Sequence, residues 1–99
     1  SFIGLNTHQS ALNTGVKLHG ATIHFVTSEL DVGPIIAQGV VPVHTTDTVL
    51  TLANRVHELE HQMYPKVIEW YINDQILLQE GKVSIHPPQS QFFMLGFDN

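Results

Sequence analysis

One segment of the chain, residues 20–34, brings an imidazole and a carboxylate into a setting suited to proton transfer. His24 lies in an alternating polar and apolar run that is typical of a strand, and Asp31 ends the polar loop that follows. Histidine and aspartate are common general acids and bases. Asp31 is therefore a candidate catalytic residue, although an aspartate before Gly33-Pro34 also commonly bonds its own backbone in a turn. Thr22 and His24 share a strand face and are candidate supporting residues.

Glu60 is a second candidate, for ligand binding rather than for proton transfer. Apolar residues recur at three- and four-residue steps from Val49 to Val67 and predict a helix with one apolar stripe. At about 100° per residue, Glu60 falls inside this stripe. A buried carboxylate needs hydrogen-bond partners or loses its charge. Either a buried ion pair or the vicinal hydroxyls of a ligand would satisfy it.

The same helix contains an H-E-x-x-H pattern from His57 to His61, which in zinc proteases presents two imidazoles one helical turn apart. Glu80 or His86 would then supply a third ligand. A short pattern with two free positions arises easily by chance, and the chain lacks room for the substrate-binding domain of such a protease. We therefore predict no zinc chemistry at this pattern and no metal cofactor.

A helix and two strands must position the first of these candidates. Residues 8–13 are predicted to form a short helix that ends at Gly15, a usual C-terminal cap position. Residues 17–27 carry the first strand and residues 35–43 the second. Between them Gly33-Pro34 predicts a tight turn.

The second half of the chain is predicted to contain the long helix and a hairpin. Asp47 offers an N-cap side chain for the helix, and Pro65 predicts a kink or a short break within it. Residues 76–85 alternate as a hairpin that turns at Glu80-Gly81. The tail, residues 87–99, is expected to be irregular. The elements together indicate an α/β fold with too few strands for a sheet covered on both faces.

Composition excludes several classes of function. The chain has 99 residues, 42% of them hydrophobic, enough for one domain with a core. Nine acids against four bases give a net charge of −5, and so few cations form neither a nucleic-acid surface nor a polybasic membrane anchor. There is no cysteine for a disulfide or a thiolate metal site. No apolar run approaches the roughly 20 residues of a membrane span. We expect a soluble, cytoplasmic protein with small-molecule partners, without nucleic-acid or membrane partners; a homodimer is left open.

The chain resembles the folate-dependent formyltransferases, and within them the branch that formylates glycinamide ribonucleotide. The resemblance runs from about Phe2 to Ile85 and rests on Leu30-Asp31-x-Gly33-Pro34 and on Arg55-Val-x-x-x-Glu60-His61. It implies that residues 1–86 are the C-terminal half of a Rossmann-like formyltransferase domain. Because Ser1 replaces an initiator methionine, we expect a fragment that is inactive alone and associates through uncovered strands.

The resemblance also implies an activity and its site. The implied reaction is the transfer of a formyl group to the amine of glycinamide ribonucleotide in de novo purine (IMP) biosynthesis. 10-Formyltetrahydrofolate is the implied formyl donor. Asp31 would keep protonated a histidine of an upstream Asn-x-His-Pro motif. The folate-binding loop would consist of Thr27, Ser28, Glu29, Leu30 and Asp31. The ribonucleotide-binding segment would consist of His57, Glu58, Leu59 and Glu60, with Glu60 accepting from ribose hydroxyls.

Three alternatives remain at this point. Formyltetrahydrofolate hydrolases share the strand and loop and the Gly15-Val-Lys-x-x-Gly20-Ala-Thr run, but they lack the run from Arg55 to His61. Methionyl-tRNA formyltransferase shares the loop, although the acidic charge balance argues against a tRNA partner. The third alternative is a non-catalytic binding remnant. Assays of formyl transfer and formyl hydrolysis distinguish among them.

Overall fold

A computed structural model describes residues 5–26 and 32–97 of the protein. Its elements in chain order are α1 (Leu5–Thr14), β1 (Leu18–Val26), β2 (Val32–Pro42), α2 (Val49–Ile72), β3 (Ile76–Gln79), β4 (Lys82–Ile85) and β5 (Phe92–Met94). A three-stranded sheet has the order β1-β2-β5, and β3 and β4 form a separate hairpin. The predicted α/β class is confirmed.

The two long strands pair antiparallel, and their pairing shifts register after Ile23 and again before Val26. Gly33-Pro34, predicted to be a tight turn, lies instead within β2 at the second shift. Both shifts add residues to β2 relative to β1, as β-bulges do. A proline lacks the donor that a regular ladder needs, and an irregular stretch tolerates that loss. The predicted turn is therefore wrong, and the second strand begins earlier than expected.

The tail is not irregular throughout, because Phe92–Met94 forms β5 and pairs parallel with β2. The Gln38 amide donates to the Gln91 carbonyl at 3.0 Å, and the Leu95 amide donates to the Val40 carbonyl at 3.2 Å. Phe93 turns toward the core, with its ring 6.4 Å from that of Trp70. The strand thus forms where an apolar side chain of the tail can be buried under α2.

Helix α2 packs across one face of this sheet, and its apolar stripe is the centre of the core. The buried residues of the helix are Leu52, Val56, Leu59, Met63, Val67 and Trp70. Gly39 of β2 allows the close approach, because a Cβ there would lie 2.6 Å from the Met63 sulfur and 2.8 Å from a Leu59 methyl carbon. The stripe is confirmed, but Glu60 lies at its edge rather than inside it, with 36% of its side chain exposed.

The start of α2 differs by one residue from the prediction. Thr48 is the N-cap, and it forms a capping box with Thr51. Asp47, predicted to be the cap, instead receives two hydrogen bonds from the Arg55 guanidinium, at 2.7 and 2.9 Å. Asp47 Oδ2 also accepts from the His44 amide at 2.8 Å. The Asp47 carboxylate therefore accepts the stronger, charge-assisted hydrogen bonds of Arg55, and the Thr48 hydroxyl accepts from the helix amide instead.

Pro65 lies inside α2, which continues without a break to Ile72. The predicted break is therefore wrong, because the lost hydrogen bond is offset by burial of Met63 and Val67 on either side of the proline. The alternative, a kink at Pro65, stays a prediction. Within the described ranges, 5–26 and 32–97, no helix combines the length and the apolar character that crossing a membrane requires.

The terminal hairpin follows the prediction closely. Strands β3 and β4 pair in register from Ile76–Ile85 to Gln79–Lys82. Glu80 and Gly81 form the turn with φ values of 52° and 77°. Two consecutive positive φ values match the tight turn whose twist suits a two-residue hairpin.

Candidate functional site

The sequence-predicted site residues fall into three groups. Thr22 and His24 lie on β1, and the segment from His57 to Glu60 lies on α2. Asp31 and the other loop residues, Thr27, Ser28, Glu29 and Leu30, lie outside the described residues. Within the described ranges no hydrogen bond joins the β1 group to the α2 group.

Alternation along β1 sets the orientation of its candidates. Ile23 is 8% exposed and pairs with Ala37, which lies two residues from Gly39 on the face of the sheet that α2 covers. Thr22 therefore projects from the opposite face, where it is exposed. The two groups of candidates belong to different faces of the sheet.

The His24 ring is held by its own strand. Its Nδ1 lies 2.9 Å from the Phe25 carbonyl oxygen. A carbonyl oxygen only accepts hydrogen bonds, so Nδ1 carries the proton. In the neutral ring Nε2 is then left as an acceptor, in a half-buried position. His24 can accept a proton or orient a water molecule through Nε2.

The side chain of Glu60 is partly exposed to solvent. Its side chain is 36% exposed, and Oε1 lies 3.8 Å from His57 Nδ1. The sequence argument expected a buried carboxylate that needs an internal partner, and this expectation is corrected by the exposure. A partly exposed carboxylate at the edge of the helix can accept hydrogen bonds from a polar ligand without the cost of burying an unpartnered group.

His57 and His61 are neighbours on the outer side of α2. Their ring centroids are 4.2 Å apart with an angle of 55° between the planes. In the part of the chain that the structure describes, no group of three or more His, Cys, Asp or Glu side chains is arranged around one point. Glu80 and His86 therefore do not complete the H-E-x-x-H pattern as third ligands.

An ion pair that the sequence did not reveal fixes α2 relative to the sheet. Arg55 donates to both carboxylate oxygens of Asp47 and also to the Pro42 carbonyl at 2.9 Å. The Arg55 guanidinium holds the pKa of Asp47 well below its ordinary value, and Asp47 in turn raises the pKa of Arg55. This anchor joins the end of β2 to the turn of α2 that precedes Glu60. The run from Arg55 to His61 hinted at its importance, but not at its partner.

A second contact missed from the sequence joins α1 to β1. His8 Nδ1 and His19 Nε2 lie 3.2 Å apart, with their rings edge to face. Burial lowers the pKa of His19, and the nearby His8 lowers it further. The two imidazoles can share one hydrogen bond only while at least one of them is neutral. The pair therefore fixes the helix against the strand near neutral pH.

Comparison with known proteins gives a consistent result. The formyl transferase family model matches residues 1–68. Phosphoribosylglycinamide formyltransferase of Escherichia coli K12 is 41% identical over 90 residues, covering 87% of this chain and 42% of that protein. Formyltetrahydrofolate deformylase of Bacillus subtilis is 36% identical over 85 residues, covering 86% of the chain and 28% of that protein.

A solved structure agrees with the sequence comparison. The crystal structure of phosphoribosylglycinamide formyltransferase from Anaplasma phagocytophilum superimposes with a TM-score of 0.86 at 41% identity, covering 98% of this chain and 47% of that one. The chain thus spans less than half the length of the curated relatives it matches. The matching family model is that of the N-terminal formyl transferase domain. The chain therefore matches that N-terminal domain and not a C-terminal domain. That residues 1–86 are the C-terminal half of the formyltransferase domain itself stays a prediction.

Proposed function

The chain belongs to the formyl transferase family, and on this premise we propose that the protein carrying it transfers a formyl group from 10-formyltetrahydrofolate to the amine of glycinamide ribonucleotide. The observation that carries the proposal is Glu60, whose side chain lies partly exposed on α2. It lies in a run, Arg55-Val-x-x-x-Glu60-His61, that we associate with the ribonucleotide-binding branch. The names of the E. coli and A. phagocytophilum relatives support the same substrate.

In the proposed reaction the substrate amine attacks the formyl carbon of the folate. A tetrahedral intermediate forms, and its oxyanion requires preorganised hydrogen-bond donors. Asp31 would hold a neighbouring imidazole in its charged form so that this imidazolium serves as one donor. As the intermediate collapses, the C–N bond to the folate breaks. The amine proton then passes through water near Asp31 to the leaving folate nitrogen.

The remaining candidates position the two substrates. The loop of Thr27, Ser28, Glu29, Leu30 and Asp31 would contact the pteridine through backbone groups, a mode of recognition that tolerates changes of side chain. Glu60 would accept from the ribose hydroxyls, with His57, Glu58 and Leu59 beside it. Thr22 and His24 would support the reacting groups from β1, with Nε2 of His24 as the free acceptor. Fixed orientation of amine and formyl carbon lowers the entropic part of the barrier.

The anchor between Asp47 and Arg55 supports the binding role of Glu60. It holds the first turns of α2 to the Pro42 carbonyl, so the carboxylate is presented from a fixed helix rather than from a mobile loop. Sites built on rigid elements are held more accurately than sites on loops. We further propose that the reaction takes place in the cytoplasm.

Formyltetrahydrofolate hydrolysis is the second candidate function. The 36% identity to the B. subtilis deformylase favours it, because that relative acts on the same class of folate according to its name. The two reactions differ only in the acceptor, an amine or water.

The deciding experiment measures both reactions with the protein that carries this chain. We expect loss of 10-formyltetrahydrofolate to depend on glycinamide ribonucleotide and to yield formylated ribonucleotide in equal amount. Release of formate at the same rate with and without the ribonucleotide would replace the proposal with the hydrolase.

A further inference from the structure

The outer side of α2 carries two neighbouring imidazoles, of which His57 also lies in the proposed ribonucleotide-binding segment. His57 and His61 lie one helical turn apart, and both are exposed. Their ring centroids are only 4.2 Å apart. Residues at this spacing are neighbours on the helix surface and can act on one ligand.

The charge beside the pair favours one tautomer of His57. Oε1 of Glu60 lies 3.8 Å from His57 Nδ1. A carboxylate next to one ring nitrogen stabilises the proton on that nitrogen, which leaves Nε2 with a free lone pair. At 3.8 Å the two groups are close enough to attract each other but too far apart for a hydrogen bond, so a small side-chain movement is needed to reach the arrangement in which a carboxylate orients a metal-binding imidazole.

We propose that His57 and His61 form a two-imidazole chelate for a late first-row divalent cation, of the class of Zn²⁺, Ni²⁺ and Cu²⁺, with Glu60 as the carboxylate that orients His57. Neutral imidazole is a preferred ligand of these ions, whereas Mg²⁺ and Ca²⁺ prefer oxygen. Water completes the coordination, since no third His, Cys, Asp or Glu joins the pair within the described ranges. The site is therefore a surface chelate and not the centre of a zinc protease.

The chelate couples metal binding to the stability of the fold. A cation bridging the two rings holds one turn of α2 in helical form, and an unfolded chain does not keep the rings at this spacing. Any ligand that binds only the folded state raises its apparent stability. A cation of the proposed class should thus raise the midpoint of thermal unfolding, and EDTA should reverse the shift.

The experiment titrates purified protein, prepared without a histidine tag, with NiCl₂, ZnCl₂ or CuCl₂ and follows binding by calorimetry and stability by circular dichroism. We expect one bound cation per chain. His61→Ala should weaken binding about tenfold or more because one of two ligands is lost. Glu60→Gln should weaken it by a smaller factor, since it only orients a ligand.

His44→Ala is the matched control, an exposed histidine outside the pair, and it should bind as the unchanged protein does. Alanine is the best helix former, so His61→Ala should retain its helical signal. Absence of binding, equal affinity in His61→Ala, or an equal loss in His44→Ala would each overturn the proposal. None of these results depends on formyl transfer.

Discussion

Asp31 and Glu60 are the two residues whose negative charge the proposed reaction requires. They act on different steps, since Asp31 tunes a proton-carrying imidazole and Glu60 binds a neutral sugar. Substitutions that remove the charge but keep the shape therefore separate the two roles.

Asp31→Asn should remove most formyl transfer activity, about 100-fold or more in kcat/KM, because the partner imidazole loses the charge that keeps it protonated. The alkaline limb of the pH–rate profile, where the imidazolium loses its proton, should move to lower pH at the same time. Steady-state kinetics from pH 5 to 9 on the protein carrying this chain provides the measurement. Asp74→Asn is the control, an exposed aspartate at the end of α2 with φ of 59°, a conformation that asparagine also tolerates. Near-normal turnover with an unshifted profile would exclude Asp31 from catalysis.

Glu60→Gln should raise the KM for glycinamide ribonucleotide about tenfold and leave the KM for the folate nearly unchanged. The reason is that hydrogen bonds to a charged acceptor contribute more than those to a neutral one. Glu69→Gln on the same helix is the control, because Glu69 is exposed and forms only a 3.5 Å contact with Lys66. Equal changes in both constants would assign Glu60 a structural role instead.

At the scale of elements, the position of α2 depends on a cap, an ion pair and a glycine. Thr48 caps the helix, Arg55 joins Asp47 to Pro42, and Gly39 admits the side chains of Met63 and Leu59. Asp47 is the most vulnerable of these, because its side chain is only 3% exposed and receives two hydrogen bonds from Arg55.

Asp47→Asn should lower the free energy of unfolding by about 3 kcal/mol at pH 7, since it leaves the guanidinium without its buried partner. The folded-state pKa of Asp47 is depressed, so its contribution to stability is fully present above the unfolded-state value of about 4 and is lost progressively as pH falls from there through the lower folded-state pKa. Urea unfolding at pH 7 and at pH 3 measures both effects. In the Asp47→Asn variant, the part of the decrease in unfolding free energy between pH 7 and pH 3 that comes from Asp47 should be absent. Glu69→Gln should show the same pH dependence as the unchanged protein. An identical pH dependence in the Asp47 variant would contradict the assignment.

At the scale of the whole molecule, the sheet is covered on one face by α2 and carries large apolar side chains on the other. Leu18, Phe92 and Met94 are each more than half exposed, at 56%, 55% and 54%. The pairing register puts all three on the face opposite Gly39 and Ala37. Contiguous apolar surface of this kind promotes association.

The 99-residue chain alone should therefore self-associate at micromolar concentration. Light scattering after size-exclusion chromatography measures its mass as a function of concentration. Phe92→Lys together with Met94→Lys should shift the population toward monomer, whereas Leu50→Lys, on the exposed side of α2, should not. A monomer at all concentrations in the unchanged chain would refute this reading of the surface.

Local patterns in the sequence determined the elements with strong periodicity. The apolar stripe of α2, the first strand and the hairpin at Glu80-Gly81 were all predictable, because helix period, strand alternation and turn geometry are set by residues close in the chain. The run ending at Glu60-His61 also carried the resemblance to the ribonucleotide-binding branch, and the binding role of Glu60 stays a prediction.

Tertiary structure alone decided which distant residues meet. Three interactions join residues of separate elements, so no local period encodes them. They are the parallel pairing of β5 with β2, the ion pair of Asp47 with Arg55, and the contact of His8 with His19. The exposure of Glu60 likewise depends on how α2 packs on the sheet, where Gly39 leaves room for the side chains of Met63 and Leu59. The chemistry of each residue follows from the sequence alone. Its burial and its contact partners depend on packing, which exists only once the elements come together.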